Sequence, residues 1–304
     1  MNTKNSNIFN IKEDSSGQRL DNFLIKKIKG IPKSLIYKLV RSGQVRVNKK
    51  RSKVSYRIKP NDIVRIPPNI HKNQFISKNI ISDSESYIEY ENENFILVNK
   101  PSGIAVHGGT NQKTDFLSSL KLSLENDSLT LVHRLDKSTS GCLLIAKNYH
   151  TASYLGKIFG EREIKKKYYA LLSGHLKRDI IEVESKITKD SHLRKMVISS
   201  DNGKEAYSKI TVIKKYRDYS LVEIEIETGR THQIRAHAAS IGHPVAGDKK
   251  YITQEYNVMN KSIGLNRIFL HSFNLSFYFN KQYNFTIDLP DDLKEVLSRL
   301  ESYV

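Results

Sequence analysis

An α+β fold in two domains is what this sequence predicts, on three observations. The length, 304 residues, suits two cores better than one. Charge is concentrated at one end: the formal net charge is +18, and residues 17–67 carry 15 Lys or Arg against two acids, Asp21 and Asp62. After Tyr87 the chain changes character, to strand-length apolar runs separated by turns, with a few helical patterns between them.

Residues 1–16 are polar and read as a flexible leader. From Arg19 the positions Leu20, Phe23, Leu24 and Ile28 recur at helical spacing, and Gly30 closes the segment. Pro32 suits the first turn of a second helix whose buried stripe is Leu35, Ile36, Leu39 and Val40, ended by Gly43. Val45–Asn48 and Ile63–Ile66 read as short strands. Lys33, Lys38, Arg41, Arg46, Lys49, Lys50, Arg51 and Lys53 are left over as candidate phosphate contacts, with almost no acid interleaved. Pro67-Pro68 stops the module. The stretch 68–86 is polar and aperiodic, as expected of a linker, and 87–304 forms the second domain.

In that domain Phe95–Val98 reads as a buried strand closed by Lys100-Pro101-Ser102-Gly103, followed by a flexible His107-Gly108-Gly109 loop. His133-Arg134-Leu135-Asp136-Lys137-Ser138-Thr139-Ser140-Gly141 lies between two apolar runs, Leu129–Val132 and Cys142–Ala146. A carboxylate among Arg, Lys, Ser and Thr in a strand-to-strand loop suits a stabilised anion or a nucleophile. Leu155, Ile158 and Phe159 fit a helix; Lys165–Leu172 turns strand-like and carries Tyr168 and Tyr169. Leu221–Glu227 alternates as a half-buried strand should, then runs into Thr228-Gly229-Arg230-Thr231-His232-Gln233-Ile234-Arg235-Ala236-His237, with the turn expected at Gly229. Asn274–Phe279 completes a sheet and Asp291–Tyr303 a last helix.

Several classes are excluded. No apolar run approaches the ~20 residues of a membrane span, and the start lacks a secretory apolar segment. The single cysteine, Cys142, lies in an apolar run and reads as a buried thiol. The expectation is a soluble, cytoplasmic protein. His232 and His237 lack companions at zinc-ligand spacing, so no metal is expected, and no glycine-rich phosphate loop supports a nucleotide cofactor. His-Arg-Leu-Asp looks superficially like a kinase catalytic loop, but the extra leucine and the missing Asp-Phe-Gly argue against one. A non-catalytic RNA-binding protein is the other alternative, carried by the basic module alone.

Residues 17–67 resemble the S4-type RNA-binding domain, through Gly17–Leu24, Lys33-Ser34, Arg41–Asn48 and Asp62–Pro67. From about Gln18 onward the chain resembles the pseudouridine synthases that modify large-subunit ribosomal RNA. The resemblance rests on His133–Gly141, Lys167-Tyr168-Tyr169-Ala170-Leu171, Thr228–His237, Asn99–Gly103, His243-Pro244 and Gly247-Asp248. Within that family Gly30–Ser34, Val45–Arg51, Ala105–Gly109 and Gly264–His271 are most similar to the C-type branch acting on 23S rRNA; Ala246 departs, where many relatives carry a larger residue. The resemblance implies a small S4-type α/β domain followed by a catalytic domain on a mixed, mostly antiparallel sheet flanked by helices. It implies Asp136 as nucleophile, Tyr168 stacking beneath the base and assisting proton removal, Arg235 holding Asp136 ionised, and Arg134 occupying the place of a flipped-out uridine. The implied partner is 23S rRNA or a large-subunit assembly intermediate, met by a monomer with no cofactor.

Overall fold

The computed structural model describes residues 8–28, 33–67, 81, 83–107, 115–190, 193 and 195–302, and the side chains of Asp14, Lys33 and Ser34 are outside that description. The chain divides into two compact units between Ile80 and Ile81.

In the first unit, β1 (Ile8–Asn10) precedes α1 (Leu20–Lys27), α2 (Lys33–Arg41), β2 (Arg46–Val47) and β3 (Ile63–Arg65), and the strands pair antiparallel in the order β1-β3-β2. The helical stripe read from sequence packs as expected: Leu20, Phe23, Leu24, Ile28, Ile36, Leu39 and Val40 are buried together with Val45, Ile58 and Val64, while Leu35 is half-buried at the edge. The expectation of a flexible leader to residue 16 needs correcting. Ile8, Phe9 and Asn10 pair with Arg65, Val64 and Ile63, Ile11 is buried, and Phe9 meets Phe23 edge-on at 5.9 Å. The strand satisfies an otherwise open edge of β3, and three residues are too few to show alternation in sequence.

The second unit contains β4 (Ile88–Glu91), β5 (Phe95–Lys100), α3 (Phe116–Ser123), β6 (Thr130–Leu131), β7 (Ser140–Ala146), α4 (Tyr149–Gly160), β8 (Lys165–Ser173), β9 (Ile180–Asp190), β10 (Lys195–Ser199), β11 (Lys204–Lys215) and β12 (Tyr219–Ile226). α5 (Gln233–Ser240), α6 (Gln254–Ser262), β13 (Leu270–Phe279), β14 (Lys281–Thr286) and α7 (Asp291–Glu301) complete it. The sheet runs β10-β9-β11-β12-β8-β13-β7-β5-β4, with β14 on β13 and β6 on β7. Among the described strands, β13–β7 is the parallel pair and the other pairings are antiparallel, so the sheet is mixed and mostly antiparallel, as expected.

The expected linker to residue 86 also needs correcting at its end. A 3-10 helix covers Ser84–Tyr87, Ser84 is fully buried, Ile81 packs on the main core, and its N–H donates to Ser119 Oγ at 3.3 Å. Residues 68–80 and 82, the rest of that stretch, lie outside the described residues, as do Gly30, Pro32, Gly108 and Gly109.

Helices cover the sheet because successive side chains of a strand serve opposite faces. On β8, Tyr168, Ala170 and Leu172 join the core beneath α3 and α5, whereas Leu171 faces α7 and Tyr169 stacks on Phe273 at 3.7 Å. β7 is buried throughout; Leu143 and Ile145 serve one core, Cys142 and Leu144 the one beneath α4. Cys142 is fully buried, as read from sequence, and burial pushes its thiol up to about 12. No described helix is long and apolar enough to cross a membrane.

Candidate active site

Asp136 sits in the loop from β6 to β7, Tyr168 on β8 and Arg235 in the first turn of α5. In the sheet β7 and β8 flank β13, so the centre of the sheet brings the first two together. Ser272 of β13 is the crossing point: it pairs with Gly141 on one side and Tyr168 on the other. The approach needs a glycine. Gly141 has φ +107°, and a Cβ there would lie 2.1 Å from the Ser272 carbonyl oxygen.

The loop that presents Asp136 is held from beneath. Thr139 N donates to the Asp136 carbonyl at 3.1 Å, Gly103 N to the Lys137 carbonyl at 2.8 Å, and Ser102 Oγ to the Ser138 carbonyl at 2.6 Å. Lys100, fully buried, donates from Nζ to the carbonyls of Pro101 (2.7 Å), Ile104 (2.9 Å) and Lys137 (3.4 Å). Burial pulls its amine down to about 7, against the opposing pull of the Asp136 charge. A lysine ending an apolar strand ahead of Pro-Ser-Gly was the sequence signal for this brace. His133 is part of the frame: its ring stacks on Phe159 at 4.5 Å, its Nε2 accepts from Leu144 N at 2.9 Å, and burial pulls it down to about 3.

Opposite stands the Thr228–His237 motif, and most of it serves to place Arg235. Gln233, buried, accepts from Thr228 Oγ1 (2.6 Å) and Arg230 N (3.1 Å) and donates to the Tyr207 carbonyl (2.8 Å) and Ser208 Oγ (3.1 Å). His237, fully buried, lies between Ser208 Oγ (2.9 Å) and Ser185 Oγ (3.1 Å), and burial pulls it down to about 4. These contacts clamp α5 to β9 and β11. The turn differs from expectation. Gly229 has an ordinary backbone conformation, and the residue that turns the chain is His232, left-handed at φ 54° and ψ 22°.

Arg235 is buried and forked. Its Nε and Nη2 donate to the two oxygens of Asp248 at 2.5 and 2.8 Å, leaving Nη1 to reach Asp136 Oδ2 at 3.4 Å. Asp248, with its side chain fully buried, is a participant that sequence reading placed only as a motif residue. The guanidinium carbon lies 5.2 Å from the Tyr251 ring centroid. His232 Nε2 stands 3.8 Å from the same Asp136 oxygen. The Tyr168 ring lines the cleft with Leu270, Ile226 and Ile234, and burial pushes its phenol above the ordinary range, partly offset by a hydrogen bond with the Ser272 side chain. Arg134 also lines the cleft and is exposed.

In the first unit, Lys38, Arg41, Arg46, Lys49, Lys50, Arg51 and Lys53 are all exposed. Asp21 and Asp62 are consumed internally, Asp21 by Arg19 and Tyr37, Asp62 by Asn48, Tyr56 and the Lys59 N–H, while Glu13 is exposed. Among the described residues, no cluster of three or more His, Cys, Asp or Glu is placed to hold a metal ion.

A carboxylate, an ion-paired arginine and a buried aromatic ring in one cleft agree with the comparisons to known proteins. The RNA pseudouridylate synthase family model matches residues 94–240, and the S4 domain model matches residues 18–64. The ribosomal large subunit pseudouridine synthase C of Haemophilus influenzae is 40% identical over 301 residues, covering 95% of this chain and 94% of that protein. The protein of the same name from Escherichia coli K12 is 38% identical over 285 residues, covering 90% and 89%. Among solved structures, human RNA pseudouridylate synthase domain containing 4 superposes with a TM-score of 0.61 at 25% identity, covering 72% of this chain and 95% of that one. This chain belongs to the RNA pseudouridylate synthase family, as a member with an S4 domain ahead of its pseudouridine synthase domain.

Proposed function

We propose that this enzyme converts specific uridines of bacterial 23S ribosomal RNA to pseudouridine in the cytoplasm, with Asp136 as the nucleophile. The observation that carries the reading is the Asp136–Arg235–Asp248 chain beside Tyr168, in one cleft at the centre of the sheet. The names of the bacterial relatives supply the substrate class, and the S4 domain supports an RNA partner.

The reaction moves uracil from a bond at N1 to a bond at C5 of the same ribose. Asp136 adds to the uracil ring or to the anomeric carbon; the glycosidic bond breaks, the base turns, and C5 bonds to the sugar. Arg235 holds the orientation of the Asp136 carboxylate through Nη1, since Asp248 already fixes two of the guanidinium's donors. Tyr168 supplies a flat surface for the base. Its phenol, pushed up by burial, assists removal of the C5 proton once the new bond has formed. A stacked uridine is out of reach, so it is flipped at a cost of a few kcal/mol, and Arg134, on the open side of the cleft, fills the vacated place. Lys33, Lys38, Arg41, Arg46, Lys49, Lys50, Arg51 and Lys53 take phosphates. The donors needed are all side chains of this chain, acting as a monomer without a cofactor.

The test is pseudouridine mapping of 23S rRNA in a strain lacking the protein, restored with wild type or with Asp136→Asn. Wild type restores specific sites and the variant none, while the purified variant binds RNA within a few-fold of wild type. An Asp136→Asn protein that releases tritium from 5-tritiated uridine in RNA would overturn the mechanism.

A further inference from the structure

The contact between Arg235 and Asp136 is the weakest that the guanidinium makes with a carboxylate. Nη1 reaches Asp136 Oδ2 at 3.4 Å, long for a charged pair, whereas Nε and Nη2 hold Asp248 at 2.5 and 2.8 Å. A two-pronged bond fixes the guanidinium within its own plane but leaves it free to hinge about the line through the two donors. A small hinge carries Nη1 out of reach of Asp136. A contact on the face of the group stops that hinge, and Tyr251 supplies one.

Tyr251 stands three residues after Asp248, in the segment that follows Gly247. Gly247 has φ +76°, and a Cβ there would collide with the Arg267 carbonyl, so the chain turns at a position suited to glycine. Lys250 N donates to Asp248 Oδ1 at 2.8 Å and closes the turn. One short segment thus gives Arg235 two partners of different kinds. Asp248 takes the edge of the guanidinium, and the Tyr251 ring takes its face, with the guanidinium carbon over the ring at 5.2 Å from the centroid.

The ring is itself held in place. Its hydroxyl accepts from Met196 N at 3.0 Å and donates to the Met196 carbonyl at 2.9 Å. β10 is the edge of the sheet and pairs with β9 on its other side, so the phenol serves backbone groups that no described strand reaches. The ring of His232 meets it edge-on at 5.8 Å, Lys195 Nζ lies 5.6 Å from its centroid, and Met196, Ile187, Ala206 and Ala236 pack with it. From these contacts we infer that Tyr251 is a positioning residue for the reaction. Its ring sets the plane of Arg235 so that Nη1 faces Asp136, and its hydroxyl ties that ring to β10. The inference rests on the reading of Asp136 as nucleophile.

A tyrosine that only fills a small apolar cluster would affect stability and leave the turnover of the folded enzyme alone. Steady-state kinetics of the full chain on unmodified 23S rRNA transcribed in vitro separate the two roles. Tyr251→Phe keeps the ring and should keep most of kcat, while the Met196 amide exchanges its hydrogen faster because the hydroxyl is gone. Tyr251→Leu loses the ring and should lower kcat about 10-fold or more, at a KM within about twofold of wild type. Tyr251→Met, closer in volume, gives the same comparison if the leucine variant melts below the assay temperature. A phenylalanine variant as slow as the ringless ones, a ringless variant with wild-type kcat, or a loss confined to KM would overturn the assignment. An Asp136→Asn enzyme that forms pseudouridine with Tyr251 intact is instead a failure of the nucleophile reading.

Discussion

Asp248 holds a full charge out of water, and what makes that tolerable is the two-pronged bond from Arg235. Removing one partner of such a pair costs far more than the pair is worth. Asp248→Asn is therefore expected to lower stability by about 3 kcal/mol, read as a lower urea midpoint, and to lose most of the activity, because Arg235 is released from the orientation that serves Asp136. A variant as stable as wild type would mean that the guanidinium is anchored by other contacts. Neighbouring residues divide along the same line. Asp136, Tyr168 and Arg235 were legible from residue type and motif. Lys100 and Asp248 were not given their places, because a brace and an anchor depend on what each side chain touches across the sheet.

At the scale of elements, the site exists because β7 and β8 are drawn onto the two sides of β13. Gly141 permits the closest approach, and Gly141→Ala would set a Cβ 2.1 Å from the Ser272 carbonyl at a φ that alanine disfavours. The expected cost is well over 1 kcal/mol, seen as a lower melting temperature, with activity falling further than stability since Ser272 also sets Tyr168. A melting temperature within a degree of wild type would show that β13 can give way. In the smaller unit, Asp21 ties α1 to α2 through Arg19 and the Tyr37 hydroxyl, and the Arg19 guanidinium holds its carboxyl at about 2, below the ordinary 3.8. A lowered carboxylate contributes stability that is present above the unfolded value and lost as pH falls through the folded one. Asp21→Asn should therefore destabilise this unit at neutral pH, by a margin that shrinks between pH 4 and pH 2. A margin independent of pH would contradict the ion-pair account.

At the scale of the whole molecule, charge and chemistry are divided between the units. The first has most of its described basic side chains exposed, and Asp21 and Asp62, the acids of residues 17–67, are bonded internally, so no free carboxylate of that stretch opposes an RNA backbone. The second contains every residue of the proposed chemistry and has its own core. A fragment of residues 81–304 should fold with a single cooperative transition. Its RNA binding should be weaker, and the slope of log affinity against log salt shallower by roughly 0.7–0.9 for each phosphate contact removed. An unchanged slope would place the phosphate contacts elsewhere.

The kinds of element, most of the buried stripes, the division of charge and three residues that meet in the cleft are legible along the chain, since each of these leaves a local period or motif. What meets what is set by the folded chain. Asp136 and Arg235 are 99 residues apart, and their contact follows from the strand order β8-β13-β7 and the clamp on α5. Neither has a sequence period, because pairing between distant strands is chosen by the whole core's packing. The same is true of β1, recruited by an open edge of β3, and of the turn at His232, where a left-handed histidine takes the place expected of Gly229. A residue's chemistry is local. Its partner is a property of the fold.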